Sequence, residues 1–81
     1  MPQVASGSDF LNAKLILARA GVRRGMKVAD LGCGTVGHFV FPAAYLVGEE
    51  GMVYAVDISK SALSGIESRR KLEGFANVET V

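Results

Sequence analysis

One cysteine, one histidine, two prolines and no tryptophan stand in 81 residues, and each shortage removes a class of explanation. Cys33 alone cannot form an internal disulfide, and a single free thiol fits a reducing compartment better than a secreted scaffold. A cytoplasmic protein is therefore expected. Cys33 and His38 are too few to assemble a four-ligand metal centre without carboxylates or a second chain, so no metal site is expected. Charge of one sign is also missing. Nine Lys and Arg against eight Asp and Glu leave a net charge of +1, too little to draw the chain toward nucleic acid or an anionic membrane. No apolar run approaches membrane-spanning length, and Met1-Pro2-Gln3-Val4-Ala5-Ser6-Gly7 has neither the basic start nor the apolar core of a secretion signal. A chain this short makes one small domain with a thin stability margin. With disulfides and metals set aside, oligomerisation is the stabilising device that remains.

What the chain does have is glycine, concentrated after an apolar run. Met26-Lys27-Val28-Ala29-Asp30-Leu31 reads as a strand ending near a carboxylate, and Gly32, Gly34 and Gly37 follow within six residues. Glycine takes positive φ without strain and lets a ligand approach the backbone without meeting a Cβ. A turn of this kind carries a buried strand into a helix over a ligand.

Residues 1–8 show no periodicity and are expected to be a flexible tail, with Ser8 as a helix N-cap. From Asp9, the residues Phe10, Leu11, Leu15, Ile16 and Leu17 recur at roughly helical spacing, and Gly21 marks a stop. Val36 to Val47 is apolar nearly all round and is expected to be a helix, with Pro42 requiring that it be kinked or start late. Gly48-Glu49-Glu50-Gly51 is a turn by composition. Met52 to Asp57 reads as a second strand, apolar on both faces, and Asp57 closes it as Asp30 nearly closes the first. Ser59 caps an expected helix from Lys60 to about Glu73, with Ala62, Leu63, Ile66 and Leu72 facing inward and Gly74 as the stop. Gly65 inside that helix costs about 1 kcal/mol relative to alanine, a sign of close packing or of a weak helix. Asn77 to Val81 begins a third strand. Tyr54, Phe39 and Phe41 are read as core, and Arg69-Arg70-Lys71 as a last turn favoured by the helix dipole.

Helix, strand, helix, strand, helix, strand is the order of an α/β parallel sheet built by crossovers. The expected architecture is half of a doubly wound Rossmann-like fold over residues 9–81, with three parallel strands in the order 3-2-1 and flanking helices.

Two ligands suit such a turn. By spacing, Gly32-Cys33-Gly34-Thr35-Val36-Gly37 matches the dinucleotide pattern G-x-G-x-x-G, and Asp57 stands twenty positions beyond Gly37, where an acid reaches a ribose diol. NAD or FAD is one reading. Asp30 favours another: a pyrophosphate already brings negative charge near the glycines, and a carboxylate two residues ahead of them would repel it. A cationic ligand is the better partner for that carboxylate, and the sulfonium and amino groups of S-adenosylmethionine qualify.

The stretches Val28-Ala29-Asp30-Leu31-Gly32-Cys33-Gly34-Thr35 and Gly51-Met52-Val53-Tyr54-Ala55-Val56-Asp57-Ile58-Ser59 resemble the glycine motif and second strand of class I S-adenosylmethionine-dependent methyltransferases. Ala20-Gly21-Val22-Arg23-Arg24-Gly25-Met26 is similar to their helix-to-strand entry, so the resemblance runs from Phe10 to Val81. It implies an S-adenosylmethionine site formed by Asp30, Gly32, Cys33, Gly34, Thr35, Gly37, Asp57 and Ile58. In that site Gly32 and Gly34 pass under the methionine part, Asp30 orients its amino group, Asp57 accepts from both ribose hydroxyls, and Ile58 lies against adenine. The family usually has glycine two residues after Gly34. Here that place is Val36, β-branched and restrictive wherever positive φ is wanted, with Gly37 one residue later. The family's seven-stranded sheet also supplies acceptor-side segments that have no counterpart in these 81 residues.

The resemblance therefore implies donor binding without a complete catalytic site, and no catalytic residue is assigned. Its partner would be a second copy of the chain or a missing C-terminal half, because strand one, normally central, becomes an apolar edge. The third reading is a non-catalytic fragment that folds by self-association through that edge.

Overall fold

The computed structural model describes residues 7–81, in which helices and strands alternate: α1 (Gly7–Arg19), β1 (Lys27–Leu31), α2 (Val40–Val47), β2 (Met52–Val56), α3 (Lys60–Glu73) and β3 (Val78–Thr80). The strands form one parallel sheet with β2 in the middle, the expected order read from the opposite edge. Lys27 to Leu31 pair in register with Met52 to Val56, and Val53 to Ala55 pair with Val78 to Thr80.

Because strand side chains alternate, this register puts Val28, Asp30, Val53, Ala55, Val78 and Thr80 on one face. That face meets the helices. Val53, Ala55 and Val78 are buried in one cluster with Val40, Phe41, Ala43, Ala44 and Val47 of α2 and Ile66 of α3. The opposite face, with Ala29, Leu31, Met52, Tyr54 and Val56, is half-buried or exposed, so β2 is covered on one side only. Tyr54 and Phe39 are accordingly half-buried, whereas Phe41 is fully enclosed. The outer side of β1 has no neighbouring strand among the described residues.

Helix limits follow local chemistry. Helix α1 already includes Gly7 and Ser8, so Ser8 lies in the first turn rather than capping it, and Asp9 supplies the acid that the dipole favours there. The rest of the expected tail, positions 1–6, lies outside the described residues. On α1 the core-facing stripe is Phe10, Ala13 and Leu17, while Leu11, Leu15 and Ile16 are exposed. Helix α2 begins at Val40, four residues later than expected, with Phe39 as its N-cap. Pro42 dictates this: in the first turn its missing N–H costs nothing, but deeper in a helix it would clash with the carbonyl four residues back.

Helix α3 runs over the expected span. The Ser59 hydroxyl accepts from the Ala62 amide at 3.2 Å, and Gly74 closes the helix at φ 73°. Leu72 is exposed, not inward-facing, since it lies off the stripe of Ala62 and Ile66. Gly65 is explained by packing: a Cβ there would stand 2.5 Å from Thr35 Cγ2 and 3.1 Å from the Thr35 carbonyl oxygen. No described helix is long and apolar enough to cross a membrane.

Candidate functional site

The site lies beyond the carboxyl ends of β1 and β2, where loops of a parallel sheet gather ligands. The chain leaving β1 is fastened at once to β2. The amides of Gly32 and Cys33 both donate to the Val56 carbonyl, at 2.7 and 3.1 Å. Positive φ at Gly32 (72°) and Gly34 (73°) then turns the backbone, and a Cβ at either position would meet nothing within 4 Å. These two glycines present bare backbone to open space.

Gly37, also at positive φ, does something else. A Cβ there would stand 2.7 Å from Ile66 Cδ1 and 2.8 Å from Phe41 Cε2, so this glycine lets the turn settle on the core. It also removes the difficulty expected at Val36, which carries no positive φ because the left-handed residue is one place later. Thr35 lies against Gly65 of α3, and Cys33 is buried in the core cluster. Of the candidate residues, Asp30, Gly32, Gly34, Asp57 and Ile58 border the open side, whereas Cys33, Thr35 and Gly37 tie the turn to the protein.

Cys33 is buried among the packing residues of the turn. Burial first, then the charges of Asp30 and Asp57, push its thiol up from the ordinary value, the reverse of what a reactive thiolate needs. The helix N-terminus that could have lowered it is seven positions away at Val40.

Asp57 is held in place by the backbone. Its Oδ1 accepts from the Ser59 amide at 2.8 Å and its Oδ2 from the Gly34 amide at 3.0 Å. Those amides, Ser59 ahead of Gly34, hold the carboxyl below the usual aspartate range. Each oxygen keeps lone-pair capacity for a further donor. Next to it, Ile58 is fully exposed, an apolar side chain at the mouth of a polar turn.

Asp30 has the opposite environment. No donor among the described residues hydrogen-bonds its carboxylate, and partial burial pushes its carboxyl up from the ordinary value. It borders a groove of about 300 Å³ whose other walls are Ile16, Leu17, Val28, Ala29, Phe39 and Ala43. A half-buried carboxylate at the rim of an apolar groove is better matched by a cationic than by an anionic neighbour. A larger cavity, about 520 Å³, opens at the far end of the sheet beside Ala44, Gly48 and Asn77. There the Asn77 side-chain amide is already committed to the carbonyls of Ala44 and Gly48, and the motif residues lie elsewhere.

Sequence reasoning missed the contribution of α3. Arg69 donates from a guanidinium nitrogen to the Val36 carbonyl at 3.0 Å and pairs with Glu73 at 2.7 Å, while Arg70 pairs with Glu67. Both arginines are thus engaged in specific contacts and do more than complement the helix dipole. The one available signal was Gly65, an otherwise unfavourable residue in that helix.

A family model described as a methyltransferase domain matches residues 23–81. The chain is 36% identical over 67 residues to a probable cobalt-precorrin-6B C(15)-methyltransferase (decarboxylating) of Saccharolobus solfataricus, covering 83% of this chain and 32% of that protein. It is 35% identical over 68 residues to the demethylmenaquinone methyltransferase of Geobacillus stearothermophilus, covering 84% of this chain and 29% of that protein. Thus it spans about a third of the length of these curated relatives. Among solved structures, a SAM-dependent methyltransferase from Aquifex aeolicus overlays with a TM-score of 0.81 at 26% identity, covering 95% of this chain and 42% of its own. Coclaurine N-methyltransferase bound to N-methylheliamine and SAH also overlays with a TM-score of 0.81 at 26% identity, covering 100% of this chain and 24% of its own. With the parallel sheet, the glycine turn and the acids at both strand ends, these matches lead to one identification: the chain belongs to the class I S-adenosylmethionine-dependent methyltransferase family, as a partial Rossmann-like domain.

Proposed function

We propose that the turn between β1 and α2, with Asp57 beyond β2, holds the methyl donor S-adenosylmethionine, and that this chain alone is a donor-binding unit without a complete catalytic site. The observation that carries the reading is Asp30: half-buried, without a hydrogen-bond donor among the described residues, and beside two glycines whose backbone is open. An ammonium group satisfies that carboxylate, and a charge-assisted hydrogen bond of this kind contributes about 1.5–3 kcal/mol, or ten- to a hundredfold in affinity. A dinucleotide pyrophosphate would bring a second negative charge to the same place and lose energy there.

The residues fit the donor elsewhere too. Gly32 and Gly34 leave the space that a Cβ would take. Asp57, ionised and fixed by two amides, can accept from two ribose hydroxyls without rearranging. Ile58 offers an apolar surface suited to adenine. When bound, the donor supplies an electrophilic methyl group on positive sulfur. What remains for protein groups is alignment, with a general base for some acceptors. With Asp30 and Asp57 engaged in holding the donor, we assign alignment of the acceptor to other residues, supplied by a second copy of the chain or by a further segment.

Calorimetric titration with S-adenosylmethionine, S-adenosylhomocysteine and NAD tests the reading. Heat is expected with the adenosyl ligands and none with NAD, and Asp57→Ala should abolish it. Heat with NAD alone, or unchanged affinity in the variant, would overturn the assignment.

A further inference from the structure

We propose that Arg69 is a positioning residue for the ligand turn: from α3 it holds the Val36 carbonyl and so keeps the turn in the conformation in which Gly34 reaches Asp57. Its effect on ligand affinity rests on the adenosyl reading above; its effect on the turn does not.

Three contacts orient the Arg69 guanidinium. One nitrogen donates to the Val36 carbonyl at 3.0 Å, Nε pairs with Glu73 at 2.7 Å, and the guanidinium carbon lies 4.5 Å from the centre of the Phe41 ring. A planar fork with donors on two edges and a face for an aromatic ring meets all three demands together, which an ammonium cannot. Beneath the same ring sits Gly37, whose absent Cβ leaves room for Phe41 and Ile66.

Helix α3 therefore touches three consecutive turn residues. Gly65 meets Thr35, Arg69 meets Val36, and Ile66 meets Gly37. Gly65 and Arg69, four positions apart, lie one helical turn apart and share a face. The same helix is capped at its start by Ser59, whose amide holds Asp57. One rigid rod thus sets both the glycine turn and the acid opposite it. Arg69 thus fixes the carbonyl of Val36, the residue between the stretch that faces Asp57 and the glycine that rests on the core.

The test measures amide hydrogen exchange and S-adenosylhomocysteine affinity in the 81-residue chain and in R69M, which keeps an apolar stem against Phe41 but lacks the donor. Loss of one charge-assisted bond at a partly exposed site is worth about five- to tenfold. R69M should speed exchange at Gly34 by that factor while Val53, bonded to Asn77 in the sheet, is unchanged. Ligand affinity should fall by a similar factor, and R69K, which still offers a donor, should recover part of it. Equal acceleration at Gly34 and Val53 would mean that Arg69 serves global stability only, and would overturn the proposal. So would exchange and affinity within twofold of the parent. If the parent binds no adenosyl ligand but R69M still loosens Gly34 alone, the positioning role stands and the adenosyl reading falls. Should R69M not fold, R69Q, too short to span to Val36, carries the same expectations.

Discussion

Replacing Gly65 with alanine sets two effects of similar size against each other. In an open helix position the change would stabilise by about 0.8–1.0 kcal/mol, because alanine loses less backbone entropy. At Gly65 the new methyl group would stand 2.5 Å from Thr35 Cγ2 and 3.1 Å from the Thr35 carbonyl oxygen, so both a side chain and the backbone of the glycine turn must move. Overpacking of this kind costs about 1–3 kcal/mol. The expected net result is a loss of about 1 kcal/mol, a shift of about 1 M in the urea midpoint for a domain of this size. Thr35→Ser removes the nearer of the two contacts, and since Thr35 is exposed the single change should stay within about 0.5 kcal/mol of the parent. In the double variant the helix gain should reappear, giving a coupling of about 1–2 kcal/mol between the two positions. Urea unfolding followed by circular dichroism on the four proteins reads this directly. Stabilisation by Gly65→Ala alone, or a coupling near zero, would refute the claim that α3 is pressed against the turn at this point.

Two further outcomes follow from the site and the sheet edge. Asp30→Asn should weaken S-adenosylhomocysteine binding about tenfold or more, by loss of a charge-assisted bond, while leaving the fold at pH 7 as stable as the parent or more so. The sign follows from burial, which raises the Asp30 carboxyl in the folded state: the ionised group opposes folding above that raised value, and the opposition fades as pH falls through it. The stability gap between variant and parent should therefore narrow on acidification, and a variant less stable than the parent at pH 7 would contradict the account. At the β1 edge, which no strand covers among the described residues, the open backbone and Leu31, 77% exposed, should produce self-association that grows with concentration and is reduced by Leu31→Lys. Light scattering that finds a monomer at high concentration would count against it.

Local chemistry made much of the fold legible. Ser59 and Gly74 bracketed α3 because an N-cap oxygen and a left-handed C-cap are requirements of the helix ends themselves, independent of what the helix packs on. Asp57 could be singled out because a polar residue closing an apolar strand marks the ligand end of a parallel sheet. Less of α2 could be read. An unbroken apolar run from Val36 to Val47 hides the point where turn gives way to helix, and Pro42 narrowed that point without fixing it. Leu72 was misplaced because it lies off the stripe of Ala62 and Ile66, and its apolar character alone does not say which face of the helix is covered.

The sequence by itself determined that this chain is an alternating α/β unit with a glycine turn between two acids, because element type, caps and turn residues are set by interactions a few positions apart. Tertiary structure decided how those parts divide their work. It placed Gly32 and Gly34 on the open side and Gly37 on the core, left Asp30 without a donor among the described residues while giving Asp57 two, and brought Gly65 and Arg69 of α3 against Thr35 and Val36. Residues thirty positions apart meet only once the sheet has formed and α3 has packed upon it, so no local pattern in the chain could announce those contacts.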